Sequence, residues 1–189
     1  MAVKSQVISY SNIIGDPTDD DTLGTVLSNL QDNELLSNLR AGIDGAWAVW
    51  DIQAGAGDVF TDETGIGTST LTYVGAGDYY DTSISDGAIT SVAFTAASAP
   101  TYIRLVALHD PQVAVTLNTD IIFAVSRDNG TTWTNATMTN DITILTSLDV
   151  LISGDIDVSA QPSGTSIKVR ATTANTKLQR VNGWALCWR

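Results

Sequence analysis

From residue 69 to the carboxyl end, apolar and polar residues alternate with a period of two, and no other feature constrains the fold as much. The alternating stretches are 69–74, 90–95, 102–108, 112–117, 120–126, 132–138, 149–158, 166–172 and 181–188. Turn-forming residues separate them: Asp86-Gly87, Ala99-Pro100, Asp110-Pro111, Asn129-Gly130, Gln161-Pro162-Ser163-Gly164 and Thr173-Ala174-Asn175. Alternation puts one set of side chains on each face of a strand, and many short strands at this spacing build antiparallel two-layer folds. The expected class is mainly β, an antiparallel β-sandwich, and about eight strands point to a jelly-roll-like order. Composition agrees, since only 16% of the residues are charged while 25 threonines and 15 glycines suit strands and turns.

The first 57 residues read differently. Residues 3–10 alternate briefly and fit an arm or an edge strand. Asp16-Pro17-Thr18-Asp19-Asp20-Asp21 then opens a helix: Thr18 or an Asp caps free N–H groups, and acids favour the positive end of the helix dipole. The helix is expected from Asp19 to Ala41, with Gly42 as its stop. At about 100° per residue, Leu23, Val26, Leu27 and Leu30 form one apolar stripe, and Leu35, Leu36, Leu39 and Ile43 form another on nearly the opposite side. Either the helix breaks near Gln31-Asp32-Asn33 into two pieces packed on one domain, or its halves bury different faces, one of them against a second subunit. Residues 42–67 are glycine-rich and acidic, with Trp47 and Trp50 embedded. The chain thus divides into an arm-and-helix attachment region, 1–57, and a sandwich domain, 58–189.

The net charge of −12 is unevenly spread. Residues 1–40 hold six acids and two bases, 41–103 eight acids and no Lys or Arg, and 104–189 seven of each. An acidic first half repels a phosphate backbone, and no basic patch with interleaved aromatics compensates, so nucleic acid is not an expected partner. Lys168, Arg170, Lys177, Arg180 and Arg189 end the chain without an intervening acid, in opposition to the acidic stretch. That opposition either neutralises within one copy or aligns neighbouring copies. The longest apolar runs, such as Ile121 to Val125, are too short for a membrane helix, and the amino end lacks the apolar core of a secretory signal. The chain is expected to be soluble and unprocessed.

Few residues carry recognisable chemistry. A lone His109, before Asp110-Pro111, cannot build a His-rich metal site, and no Gly-x-Ser-x-Gly nucleophile turn accompanies it. The single Cys187 excludes an intrachain disulfide, and between Leu186 and Trp188 it reads as a packed or interface-facing thiol. Gly55-Ala56-Gly57 lacks the trailing glycine of a dinucleotide loop. Asp62-Glu63 and Asp78-Tyr79-Tyr80-Asp81 supply carboxylates of the kind that flank a sugar in glycoside hydrolysis, though acidic sandwich loops carry such pairs without catalysis. The same acids suit calcium, but Asp19-Asp20-Asp21-Thr22-Leu23-Gly24 departs from an EF-hand at its fifth position. No enzyme activity, metal or cofactor is expected. Trp47, Trp50, Trp133, Trp184 and Trp188, with Tyr79 and Tyr80, form either a sugar-stacking platform or core and subunit contacts.

The strongest local motif runs from Ser126 to Trp133, as Ser-Arg-Asp-Asn-Gly-Thr-Thr-Trp. Asn129-Gly130 tolerates positive φ, Asp128 can bond turn N–H groups, and Trp133 packs beneath the turn, with Ser126 and Thr132 completing the pattern. The pattern resembles the Asp box of sialidases and other β proteins, which implies a structural turn and no catalytic role.

Phe60-Thr61-Asp62-Glu63-Thr64-Gly65-Ile66 and Gly77-Asp78-Tyr79-Tyr80-Asp81 come first in a longer ordered series. It continues through Leu117-Asn118-Thr119-Asp120, Val125 to Trp133, Val158 to Thr165, Ala174-Asn175-Thr176-Lys177 and Gly183-Trp184-Ala185-Leu186. Over residues 58–189 this series resembles sandwich domains of tailed-bacteriophage structural proteins, which occur in fibre, tail and head-surface parts. The resemblance implies a non-enzymatic accessory component of the virion surface, such as a capsid decoration or a short fibre or tail part. It also implies self-association, as a homotrimer in many such parts, with capsid or tail proteins as further partners. A carbohydrate-binding module recognising a host glycan is the alternative.

Overall fold

A computed structural model of the protein describes residues 54–82, 85–144 and 147–189. The expected arm, the helix with its two stripes (Leu23, Val26, Leu27, Leu30; Leu35, Leu36, Leu39, Ile43), Trp47 and Trp50 lie outside the described residues. Those described form strands and connections only. In chain order the strands begin with β1 (Ala54–Asp58), β2 (Ile66–Ser69), β3 (Thr72–Val74), β4 (Tyr79–Asp81) and β5 (Ala88–Ser91). Next come β6 (Phe94–Thr95), β7 (Tyr102–Pro111), β8 (Ile121–Ser126), β9 (Thr134–Asn135) and β10 (Met138–Ile144). The last are β11 (Leu148–Ser153), β12 (Ile156–Asp157), β13 (Ser166–Thr173) and β14 (Gln179–Trp188).

Two antiparallel sheets pack together. The larger follows the order β10-β11-β7-β14-β4-β3, with β1 also beside β14 and β12 beside β7; the smaller follows β2-β5-β13-β8-β9, with β6 beside β13. Between them lies one apolar cluster, fed by Ile103, Leu105, Ala107, Trp184 and Leu186 from the larger sheet and by Phe123, Val125, Ile167 and Val169 from the smaller. Phe60 sits edge-on to both Trp184 and Tyr80, with ring centroids 4.9 and 5.2 Å apart. Such edge-to-face pairs add about 0.5–1.5 kcal/mol each to the burial of the rings.

Sequence dictates these strands in two distinct ways. In β13 the burial alternates residue by residue: Ile167, Val169 and Ala171 enter the core while Lys168, Arg170 and Thr172 face away. That is the pattern of a sheet with one solvated face. β14 is buried on both faces over its last six residues. It also carries a bulge between Val181 and Gly183. Gly183, at φ +154°, lets the β1 end pass close by, since a Cβ there would lie 2.8 Å from the Asp58 carbonyl oxygen.

Several alternating stretches divide where the chain crosses from one sheet to the other. Stretch 69–74 ends β2 and resumes as β3, turned by Ser69, whose Oγ accepts the Leu71 N–H at 3.0 Å and donates to the Leu71 carbonyl. Stretch 132–138 splits into β9 and β10 in the same way. One expected strand, 112–117, is a loop instead. Pro111 ends the β7 ladder, and the Asp120 carboxylate accepts the Thr116 N–H at 2.8 Å and ties the segment into a turn.

Candidate functional site

The Ser126–Trp133 turn is built as its residues predict. Asn129 and Gly130 take φ of 62° and 85°, the pair of positive angles that a tight turn needs. Ser126 Oγ accepts the Gly130 N–H at 2.8 Å and donates to Asp128 Oδ1 at 2.7 Å. Asp128 in turn accepts the Thr132 N–H at 2.9 Å and the Thr132 hydroxyl at 2.7 Å. Burial pushes the Asp128 carboxyl up, but these donors outweigh it and leave the carboxyl below its ordinary value. Trp133 donates its ring N–H to the Gly130 carbonyl at 2.9 Å, and the Arg170 guanidinium lies 4.4 Å over its ring. The side chains of Ser126, Asp128, Thr132 and Trp133 thus all bond within the turn.

Arg127, an unspecified position of that motif, is the residue that sequence reasoning missed. It is 8% exposed and donates to the carbonyls of Pro100 (2.7 Å), Ser159 (2.9 Å), Pro162 (3.2 Å) and Gln161. The Gln161 side chain accepts the Arg127 N–H at 2.8 Å and donates to the Val125 carbonyl and the Thr134 hydroxyl. One guanidinium and one amide thus pin two loops, at Pro100 and at 159–162, to the end of β8.

A second polar knot surrounds His109. Its Nε2 lies 3.0 Å from Gln179 Oε1, while Gln179 Nε2 donates to the Asp120 carbonyl at 2.9 Å. Because the Gln179 oxygen must accept, the ring carries its proton on Nε2. His109 Nδ1 is buried without a hydrogen-bond partner. Burial lowers the His109 pKa, against the opposing influence of Gln179, Asp149 and Asp110. Asp120 accepts from Thr116 N–H and Asn175 Nδ2, which hold its carboxyl below the ordinary value. The knot joins β7 and β14 to the loop before β8.

The two acidic loops both lie near Tyr73, whose hydroxyl is raised by burial and by the charges of Asp78, Asp62 and Glu63. Asp62 Oδ1 accepts the N–H and hydroxyl of its neighbour Thr64. Asp58 Oδ1 accepts the Phe60 N–H at 2.8 Å, and burial raises the Asp58 carboxyl, with Asp62 adding to the rise. Tyr80 is in the core, its hydroxyl pushed up to about 12 chiefly by burial. Asp81 and Asp110 both flank Arg180, at 3.7 and 3.5 Å, and Tyr79 lies under the same guanidinium. Arg180 thereby joins the basic end of the chain to the acidic stretch within one copy. Among the described residues, no three His, Cys, Asp or Glu side chains are grouped to hold a metal ion.

The described aromatics do not gather into one platform. Trp184, Trp188 and Tyr80 are core residues, Trp133 serves its turn, and Tyr79 stacks with Arg180. Cys187 is 3% exposed on β14, with its side chain on the outer face of the larger sheet. No helix among the described residues is long and apolar enough to cross a membrane. Neither a protein-family model nor a curated protein matches this chain.

Proposed function

We propose that this chain is a non-enzymatic structural component of a tailed-bacteriophage virion, an accessory part of the head or tail surface that acts through assembly contacts. The observation that carries the reading is how β7, β8, β13 and β14 are nested. β7 pairs with β14 in one sheet while β8 pairs with β13 in the other, a nesting of consecutive strands of the kind that a jelly roll uses. This supports a jelly-roll-like order for the same residues, 58–189, that resemble phage sandwich domains in sequence. The chemically distinctive side chains support it too: Asp128, Arg127, His109 and Asp120 are spent on holding loops in place.

In this reading the arm and helix expected ahead of β1 attach the sandwich to its neighbours, which are further copies of the chain, as a homotrimer, and capsid or tail proteins; residues 54–57 of the expected attachment region belong to the sandwich as β1. Residues Lys168 to Arg189 and the acidic stretch 41–103 assist register between copies. The test is quantitative proteomics of separated heads and tails from particles of the phage that encodes the chain, with a glycan array run in parallel. Stoichiometric presence in one fraction supports the proposal. Absence from particles, combined with selective glycan binding, replaces it with a carbohydrate-binding module.

A further inference from the structure

The bases near the carboxyl end divide into those that are spent within one copy and those that are not. Arg180 lies between Asp81 and Asp110, Arg104 and Arg189 both meet Asp155, and Lys177 is near enough to Asp120 to help hold its carboxyl down. Lys168 and Arg170 are different: among the described residues no carboxylate lies within ion-pair distance of either, and Arg170 Nε has no hydrogen-bond partner. Both side chains face outward from β13, two residues and so about 7 Å apart along the strand. Arg170 is stacked on Trp133, and register sets it in a row with Thr68 and Thr90 on one side and Ala124 and Asn135 on the other. That row contains no acid.

The unneutralised acids lie at the β2 edge of the same sheet. Asp62 and Glu63 are exposed neighbours in the loop that enters β2, and Asp78 belongs to the loop that enters β4. The two loops meet at Tyr73, whose hydroxyl donates to the Phe60 carbonyl at 2.9 Å and whose ring would lie 3.2 Å from a Cβ on Gly75. β2 is two strands, or about 10 Å, from β13. Even so, neither Lys168 nor Arg170 pairs with the acidic loop of its own copy.

We propose that the outer face of the smaller sheet around Lys168, Arg170 and Trp133 is an interface that takes the Asp62-Glu63 loop of a second copy of the chain. Opposite charge on the two patches steers the encounter and sets its register. Exposed ion pairs alone contribute little, so the contact also needs an anchor. Trp and Arg are the side chains that most often dominate interface energetics, and here they are already fixed together in the single copy. Unlike patches on one chain join head to tail, and such contacts close into rings, the class to which a homotrimer belongs. A long anionic polymer on this face would run against the acidic loops at the β2 edge, whereas further copies bring bases to those acids as well. The inference rests on the assembly reading for its choice of neighbour, a further copy, and not on a place in a virion.

The test is self-association of the purified full-length chain, measured by sedimentation equilibrium over a concentration series at low salt. The wild type should associate. Lys168→Glu/Arg170→Glu and Asp62→Lys/Glu63→Lys should each weaken the association constant about tenfold or more, since each sets like charges against one another. The chain carrying all four substitutions should regain self-association and fail to associate with the wild type, because its two patches attract with their signs exchanged. A wild type that stays monomeric throughout overturns the proposal. So do double variants that associate as the wild type does, or a fourfold variant that does not recover. Acidic-glycan binding on an array that needs Lys168 and Arg170, with self-association unaffected by their reversal, also overturns it. If a double variant does not melt cooperatively, Lys168→Glu, Glu63→Lys and their combination replace the set and are judged by the same outcomes. Presence in particles decides the virion reading separately, so either can fail while the other stands.

Discussion

Arg127 and Gln161 are joined twice: the Arg127 N–H donates to Gln161 Oε1 at 2.8 Å, and the Arg127 guanidinium donates to the Gln161 backbone carbonyl. The same guanidinium serves Pro100, Ser159 and Pro162. A planar fork with five N–H groups can bind several carbonyls at once, whereas an ammonium is a point donor on a thin stem. Arg127→Lys should therefore not rescue Arg127→Ala. Both should lose about 2–4 kcal/mol in urea denaturation, because buried carbonyls lose their donors. A loss below about 0.5 kcal/mol in the lysine variant would show that the loops do not depend on the fork.

His109 gives the fold a pH dependence of known sign. Its folded pKa lies below the ordinary 6.5, so between those two values the unfolded chain binds more protons and stability falls as pH falls. Asp120 and Asp128, held below the ordinary 3.8, add a second decline in stronger acid. The melting temperature should drop from about pH 7.5 to 5.5 in the wild type and stay nearly flat in His109→Gln, which cannot titrate. Equal slopes in the two proteins would assign the drop to other groups.

How much of this was readable in the sequence depends on what alternation encodes. β13 lies where the period-two rule puts it, because its sheet is wet on one side and its polar residues mark that side. Alternation reads the same whether a strand stays in its sheet or bends across to the other, so the breaks at Ser69–Leu71 and between β9 and β10 were invisible. The two-sided burial of β14 follows from what lies on each side of it, which Ala185-Leu186-Cys187 alone does not reveal. The Ser126–Trp133 turn was legible because its bonds are local. The loops that Arg127 reaches, at Pro100 and 159–162, lie about 30 residues away in sequence, and no local rule connects them.

Asp58 places a carboxylate where only half of it is satisfied. Oδ1 accepts the Phe60 N–H, whereas Oδ2 is buried without a partner beside Gly65, whose added Cβ would lie 1.7 Å away. The folded pKa is raised above 3.8, so the charged form weakens the fold at pH values above the folded value, and this weakening disappears below 3.8. Asp58→Asn keeps an acceptor for Phe60 and removes the charge. It should raise the melting temperature at pH 7 by about 2–5 °C and confer little gain near pH 3.5. A lower melting temperature at pH 7 would mean that the carboxylate has a favourable partner.

The turn at Gly130 separates backbone strain from side-chain crowding. Its φ of 85° is disfavoured for any residue with a Cβ and most of all for a β-branched one. A Cβ at that position would also lie 3.1 Å from Trp133 Cζ2, tight enough to push the indole whose N–H bonds the Gly130 carbonyl. Gly130→Val should therefore lose about 1–3 kcal/mol, chiefly from strain. Gly130→Asn should lose less, since asparagine tolerates positive φ, and Gly130→Ala should fall between the two. The order of losses, Val above Ala above Asn, is the quantity to measure, by urea denaturation of the three variants. Equal losses would instead assign the effect to crowding against Trp133, and an unchanged valine variant would remove the turn from the determinants of the fold.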